Sequence, residues 1–294
     1  MARVLACRKL GEEYHLLSIR APEIARTARP GQFVNLRPPP ERSFLLRRPF
    51  SIYRVRREGA VEVVFDVRGP GTAALAALRP RDPIDLIGPI GVGFTLSPAR
   101  RRCLLVGGGV GATPLFFLAD ELAAAGRRVD LLLGASTASR LVNVEEARRL
   151  GCSVELVTED ASAGHRGIVT DLLGSMIERC GSEAVYACGP NPMLGAVTRV
   201  AVECGVPVEV AVEELMGCGI GICMSCVAPV WNEDATQVNN LRTCVEGPVF
   251  DGTRVAWKAY EAGWDTDRRA EGPPIRREKM GFSSDPAPAG NWRN

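Results

Sequence analysis

The chain lacks what several protein classes require. It has no charge excess: 36 Lys and Arg stand against 34 Asp and Glu, a formal net charge of +2. That balance gives no electrostatic footing for binding nucleic acid or an anionic membrane surface. Long apolar runs are missing too. The most apolar stretch, Cys103 to Ala119, is interrupted by Gly107, Gly108, Gly109 and Gly111, and a membrane span needs about 20 apolar residues. The opening residues, MARVLACRKLGEEYHLL, turn polar too soon for the apolar core of a secretion signal. The expectation is a cytoplasmic protein. Only two histidines occur, His15 and His165, and no residue set suggests a base poised beside a carbon acid. Lysine is scarce, at 3 of the 36 basic residues; this reads as coding bias rather than chemistry.

What is present is ordinary globular material. The chain is 46% hydrophobic and 24% charged, which excludes a mostly disordered protein. Its 294 residues suit two domains, at roughly 150 residues each. The expected fold class is all-β followed by α/β. Residues 1–98 hold short β-rich segments (VLACRKL, YHLLSIRA, GQFVNLRP, RRPFSIYRV, AVEVVFDVR, DPIDLIGPI) punctuated by Pro and Gly. They predict a small antiparallel β-barrel, with a short helix in TAALAALR after Gly71-Thr72. Residues 99–208 alternate continuous apolar runs (CLLVGG, RVDLLLGAS, CSVELVTED, AVYACGP) with helical patterns. That alternation predicts a doubly wound parallel sheet, with VPVEVAVEELMG closing it. Residues 209–262 form a cysteine-rich segment, and residues 263–294 read as a disordered tail.

Cysteine usage is uneven. Six of ten cysteines are scattered, while Cys218, Cys223, Cys226 and Cys244 crowd into 27 residues with spacing C-x4-C-x2-C-x17-C. The first two gaps match the plant-type [2Fe–2S] pattern. Structural zinc favours two C-x2-4-C pairs instead. Glycines in the first gap let the backbone curl round an inorganic core. Zinc and unliganded thiols remain as alternatives at this point.

Three other motifs carry candidate chemistry. Gly107-Gly108-Gly109-Val110-Gly111-Ala112 follows a buried strand and opens a helix at Thr113. It fits the dinucleotide loop, in which glycines let a pyrophosphate approach the backbone, although a tight structural turn would look the same. The acid expected at the end of the second strand, to hold a ribose, is absent: Gly134-Ala135-Ser136 stands there. Ser136, Thr137 and Arg140 could accept a 2′-phosphate, so NAD against NADP stays open. Arg48-Pro49-Phe50-Ser51 places a hydroxyl and an Arg able to hold a phosphate on one strand, although in isolation such a stretch is usually just a strand. Cys188-Gly189-Pro190 ends a buried strand, where ligands of such sheets bind.

In this order the motifs resemble the ferredoxin reductase superfamily. With EELMGCGIGICMSC and CVEGPVF added, residues 3–258 resemble electron-transfer subunits of the dihydroorotate dehydrogenase B type. The resemblance implies FAD in the barrel, lined by Arg48, Pro49, Phe50, Ser51, Val64, Phe65 and Asp66, with Gly71 and Thr72 at its phosphates. It implies NAD(H) as co-substrate at Gly107, Gly109, Gly111, Thr113, Cys188, Gly189 and Pro190, and a [2Fe–2S] cluster on the four clustered cysteines. It also implies an FMN-containing catalytic subunit as partner, in a heterotetramer of two copies of each, working in pyrimidine biosynthesis. Electrons from dihydroorotate would pass through the cluster and FAD to NAD+. The apolar set Leu215, Met216, Ile220, Ile222 and Met224 is the expected docking surface, with burial of the cluster inside this chain as the alternative use of the same residues. Subunits of sulfide dehydrogenase, or of NADH-dependent ferredoxin:NADP oxidoreductase, share this layout. Phe50 departs from the more usual aliphatic residue, and the tail beyond Trp257 has no counterpart.

Overall fold

The computed structural model describes residues 2–40 and 43–261. The tail expected to be disordered lies outside the described residues. Seven short strands come first: β1 (Ala2–Leu10), β2 (Tyr14–Arg20), β3 (Phe33–Arg37), β4 (Arg48–Ser51), β5 (Arg54–Arg56), β6 (Ala60–Asp66) and β7 (Pro83–Ile90). They form one antiparallel sheet of order β4-β3-β7-β1-β2-β6-β5. The predicted RRPFSIYRV strand is thus two strands. Inward side chains such as Leu17, Ile19, Val34, Leu36, Ile52, Val61 and Val63 fill one core. Across it the rings of Phe50 and Phe65 meet at 5.2 Å, which makes the sheet barrel-like. No backbone pairing joins its edge strands among the described residues. Two helices, α1 (Pro22–Thr27) and α2 (Pro70–Ala76), sit in its connections. The second begins at Pro70, before the predicted Gly71-Thr72 start, because Pro suits the first helical turn.

The second layer set is the expected doubly wound sheet. Strands β8 (Arg102–Gly108), β9 (Arg128–Ala135), β10 (Ser153–Thr158), β11 (His165–Arg166), β12 (Ala184–Cys188) and β13 (Val208–Ala211) are parallel. Helices α3 (Thr113–Ala124), α4 (Val144–Leu150), α5 (Val169–Cys180) and α6 (Asn191–Glu203) connect them. Alternate residues of β8 enter opposite cores: Cys103 and Leu105 on one face, Leu104 and Val106 on the other. A strand buried on both faces must read as a continuous apolar run, which is why CLLVGG does.

The cysteine segment is an excursion from this sheet. It leaves at the end of β13 and contains a hairpin, β14 (Val227–Trp231) and β15 (Val238–Arg242). It returns as β16 (Val249–Asp251), antiparallel to β13, with Ala211 beside Val249. The full order is β11-β10-β9-β8-β12-β13-β16. A last helix, α7 (Trp257–Glu261), follows.

The two sheets are fixed to each other. Tyr14, Leu16, Tyr53 and Val64 of the first share a core with α3 and α4. Buried Arg54 of β5 pairs with Asp120 of α3 at 2.8 Å and with Glu146 of α4 at 2.7 Å. Tyr14 donates its hydroxyl to the Arg140 carbonyl at 2.8 Å. Removing one partner from such a buried ion pair would leave an uncompensated charge.

Candidate functional site

The strand ends of the second sheet open on a cavity of ≈ 790 Å³. Gly108, Gly109 and Gly111 line its floor, with Gly189 and Pro190 beside them. Tyr14, Asp66 and Arg68 reach it from the first sheet. Gly109 adopts φ +53°, and a Cβ there would meet nothing within 4 Å, so the position faces open space. Gly111 has the opposite reason to be glycine: a Cβ would lie 2.6 Å from the Gly189 backbone. Gly107 is packed likewise, 2.5 Å from Ala112. Gly111 still lines the cavity, whereas Gly107 shapes the loop from behind.

The remaining predicted residues of this site are less open. Thr113 is buried at the start of α3. Cys188 is buried, and desolvation followed by the Glu213 charge pushes its thiol far up, so it stays protonated. Ser136 and Arg140 line the cavity, while the Thr137 hydroxyl is bonded to Ser139 at 3.0 Å. Sequence reasoning missed Glu159, Glu213 and Glu214, which also line it. Glu159 follows β10 rather than β9, so inspection of the second strand's end could not find it.

On the first sheet, Arg48, Pro49, Phe50 and Ser51 form β4, and all four are half-buried. The Arg48 guanidinium donates to the Leu46 carbonyl at 2.8 Å and lies against Gly71, where a Cβ would be 3.2 Å from its Nε. The Thr72 hydroxyl accepts from the backbone N–H of Arg68 at 2.9 Å and of Gly69 at 3.1 Å. Val64 and Phe65 are buried in two different cores. Asp66 stands at the cavity edge, paired with Arg68 at 2.8 Å. The Phe50 ring packs on Phe65, which accounts for its size.

The cysteine loop curls as its glycines allow. Gly219 at φ +66° and Gly221 at φ +88° turn the N–H groups of Ile220, Ile222 and Cys223 onto Cys218 Sγ, at 3.4, 3.3 and 3.4 Å. These donors hold the Cys218 thiol below its ordinary range. The Cys218 N–H in turn donates to Cys223 Sγ at 3.3 Å. Hydrogen bonding, chiefly from Ser225 Oγ at 3.1 Å, lowers the Cys223 thiol to about 6. Cys226 and Cys244 form the other half, both buried against Phe33. Burial, then the neighbouring Cys226, pushes Cys244 up to about 12.

No three Cys, His, Asp or Glu side chains converge on one point among the described residues. The thiols come as two pairs instead. Each iron of a sulfide-bridged pair takes two thiolates, so paired donors with amides aimed at sulfur fit a two-iron core better than one zinc. The loop is also braced. Arg242 donates to the Gly221 carbonyl at 2.9 Å and forms an ion pair with Glu246. Asn35 of β3, fully buried, donates to the Cys218 carbonyl at 2.9 Å. Asn35 also pairs with Pro49 of β4, so one residue touches both the cysteine loop and the Arg48–Ser51 strand.

Around the loop, Leu215 is 90% exposed, Ile222 76% and Met224 51%. Ile220 and Val245 extend this apolar surface. Met216 does not: it packs with Phe33, Ile90, Cys226 and Cys244, beneath the loop rather than on it. No helix among the described residues is long and apolar enough to cross a membrane.

Comparison with known proteins matches this geometry. Residues 213–256 match the iron-sulfur cluster binding domain of dihydroorotate dehydrogenase B, and residues 105–199 match the oxidoreductase NAD-binding domain. The dihydroorotate dehydrogenase B (NAD(+)) electron transfer subunit of Desulforamulus reducens is 37% identical, over 87% of this chain and 98% of its own length. That of Geobacillus thermodenitrificans is 36% identical, over 84% and 94%. A solved structure of NADH-dependent reduced ferredoxin-NADP oxidoreductase, studied for flavin-based electron bifurcation, aligns at TM-score 0.75 and 30% identity, over 91% of this chain and 94% of that one. The parallel sheet with its glycine loop and the paired-cysteine excursion thus fall on one shared plan, and the chain belongs to the family of dihydroorotate dehydrogenase B electron transfer subunits.

Proposed function

We propose that this chain carries electrons from dihydroorotate, oxidised in a separate FMN-containing subunit, to NAD+ in pyrimidine biosynthesis. Cys218, Cys223, Cys226 and Cys244 would hold a [2Fe–2S] cluster. Arg48, Pro49, Phe50 and Ser51, with Asp66, Gly71 and Thr72, would hold FAD, Val64 and Phe65 contributing backbone. Gly109, Gly111, Gly189 and Pro190 would seat NAD(H), with Gly107, Thr113 and Cys188 shaping that site from behind. When bound, the cluster passes single electrons and the flavin gathers two of them for hydride transfer to nicotinamide.

The protein's own residues orient and insulate. The N–H groups of Ile220, Ile222 and Cys223 favour negative charge on Cys218, which tunes a bound metal's potential. Arg48 offers a fixed guanidinium for a phosphate. Arg54, through Asp120 and Glu146, holds the two sheets in one orientation, so the distance between the two nucleotide sites is preset.

The observation that carries this reading is Asn35. Its side chain donates to the Cys218 carbonyl while its backbone pairs with Pro49 of β4, so the cysteine loop is held close against the Arg48–Ser51 strand, and single electrons need a short path. The exposed apolar surface of Leu215, Ile222 and Met224 gives the partner its docking face, and the assembly is a heterotetramer of two copies of each chain. None of the ten cysteines is disulfide-bonded, and a reducing cytoplasm would keep four of them available as cluster ligands.

The test is reconstitution. Joined to an FMN-containing dihydroorotate-oxidising subunit, the chain is expected to form NADH from dihydroorotate and NAD+, and alone to leave dihydroorotate unoxidised. Turnover of dihydroorotate by the isolated chain would overturn the assignment. A second reading, a flavin and iron–sulfur subunit of an NADH-dependent ferredoxin–NADP oxidoreductase, is favoured by the structural likeness at TM-score 0.75. Co-purification with a second flavoprotein that reduces ferredoxin would select it.

A further inference from the structure

The loop that carries the first three cysteines holds no charge of its own: from Leu215 to Asn232 no residue bears a charged side chain. The charge beside it comes from the chain around the fourth cysteine. Cys244 is flanked, two residues away on each side, by Arg242, the last residue of β15, and by Glu246. These two close a clasp around it. The Arg242 backbone N–H donates to Glu246 Oε2 at 2.7 Å, and its Nε to both Glu246 oxygens, at 3.2 and 3.1 Å. The Arg242 carbonyl accepts from the N–H groups of Val245 and Glu246 at 3.0 and 2.9 Å. The guanidinium is therefore fixed, and its Nη1 donates to the Gly221 carbonyl at 2.9 Å. That carbonyl belongs to the same peptide group as the Ile222 N–H, which donates to Cys218 Sγ at 3.3 Å. One planar amide thus has a cation on its oxygen and a cysteine sulfur on its hydrogen.

We propose that Arg242 is a positioning residue that sets the reduction potential of the two-iron site, acting on Cys218 through the Gly221–Ile222 peptide, with Glu246 as its counterweight. The inference rests on the reading of the four cysteines as the ligands of a [2Fe–2S] cluster. Reduction adds one electron to a site already surrounded by four thiolates, and the added charge spreads onto its sulfurs. Donors to those sulfurs favour the reduced form, which raises the potential. A cation on the carbonyl end of an amide polarises it, so its N–H becomes a stronger donor. Arg242 also contributes its charge directly, from a side chain only 31% exposed, where water and salt screen it incompletely. Glu246, 33% exposed, subtracts from both effects because it pairs with the guanidinium. A brace without electrical consequence would need neither the charge nor its partner: Asn35 holds the nearby Cys218 carbonyl at 2.9 Å with a neutral amide.

The test uses the full chain with its cofactors bound, in a redox titration at fixed pH that follows the cluster by electron paramagnetic resonance. Arg242→Gln keeps a donor for the Gly221 carbonyl and removes the charge. It is expected to lower the midpoint, cutting the reduced-to-oxidised ratio at a fixed applied potential by about three- to tenfold. Glu246→Gln leaves Arg242 on Gly221 and unmasks its charge, so the midpoint should rise. Glu233→Gln, exposed in the turn at the far end of the β14–β15 hairpin, is the control and should leave it level. Shifts of the same sign in both clasp variants, or midpoints level with the control, would overturn the proposal, because a purely mechanical brace predicts no opposite response. If Arg242→Gln fails to retain iron, Glu246→Gln alone decides: a rise supports the electrical role, and a level or lower midpoint ends it. Iron counts separate the layers of the reading. A parent chain without iron overturns the cluster assignment and the proposal with it, whereas two irons with unmoved midpoints overturn the proposal alone.

Discussion

Two glycine-rich loops of this molecule put the same residue to different main uses. In the loop after β8, Gly111 is glycine because another backbone presses on it, and only Gly109 faces open space. In the cysteine loop, glycines serve conformation: Gly219 and Gly221 sit at positive φ and aim amides at a sulfur. The first loop is built before any ligand arrives, backed by the CGP turn. The second is shaped around the space of its ligand and carries exposed Leu215 and Ile222 on its outside. One is a receptacle closed from behind, the other a coil open to a neighbour.

The largest effect should come from the coil. Cys223→Ser is expected to abolish electron delivery from the partner while NADH still bleaches the flavin, followed by stopped-flow absorbance. Loss of both in a folded variant would mean that the two loops do not serve separate limbs. Gly111→Ala comes next. A Cβ 2.6 Å from the Gly189 backbone must push two loops apart, an overpacking cost of about 1–3 kcal/mol. Denaturant unfolding should show it, with weaker NADH binding. Gly109→Val should strain only its own φ, by about 1–2 kcal/mol, and lower NADH affinity with FAD retained. Full stability of Gly111→Ala, or loss of FAD from Gly109→Val, would erase the distinction drawn within the first loop.

The smallest effect concerns β13, the strand between the two loops. Burial raises the Glu209 carboxyl from the usual 4.5 to about 7, against the Thr95 N–H that donates to it at 2.8 Å. The folded state therefore binds this proton more tightly than the unfolded chain does. Stability is full below 4.5 and falls as pH rises through about 7. Glu209→Gln keeps the acceptor and removes the charge. It should gain ~1 kcal/mol above neutrality, and nothing in acid, relative to the parent. Melting temperatures across that range check it.

Much of this was legible in the sequence because its causes are local. A strand buried on both faces must be continuously apolar, and CLLVGG and AVYAC are. Paired thiolates need fixed spacing, and Cys218 to Cys226 keep it. What escaped depends on chain segments meeting across long separations. Glu159 enters the cavity through its register against β9, Asn35 reaches the cysteine loop through the Cys218 carbonyl, and Tyr14 crosses between the sheets through Arg140. β16 has only three residues, too few for a pattern, and belongs to the sheet because Ala211 lies beside Val249. The apolar set around the cysteines read as one surface, yet Met216 faces inward, since a loop offers no period by which to sort its faces.

That juxtaposition of Ala211 and Val249 has an evolutionary consequence. The cysteine module begins and ends at adjacent points of one sheet edge, where the Val212 N–H also donates to the Pro248 carbonyl at 2.9 Å. Cut there, the two chain ends already touch. A reductase lacking any iron could acquire the module by a single insertion between two strands, with no change in strand order and only a modest loop-closure entropy. The same geometry makes it portable in the laboratory. Its residues could be excised and replaced by a short turn, leaving a flavin reductase that answers to NADH alone.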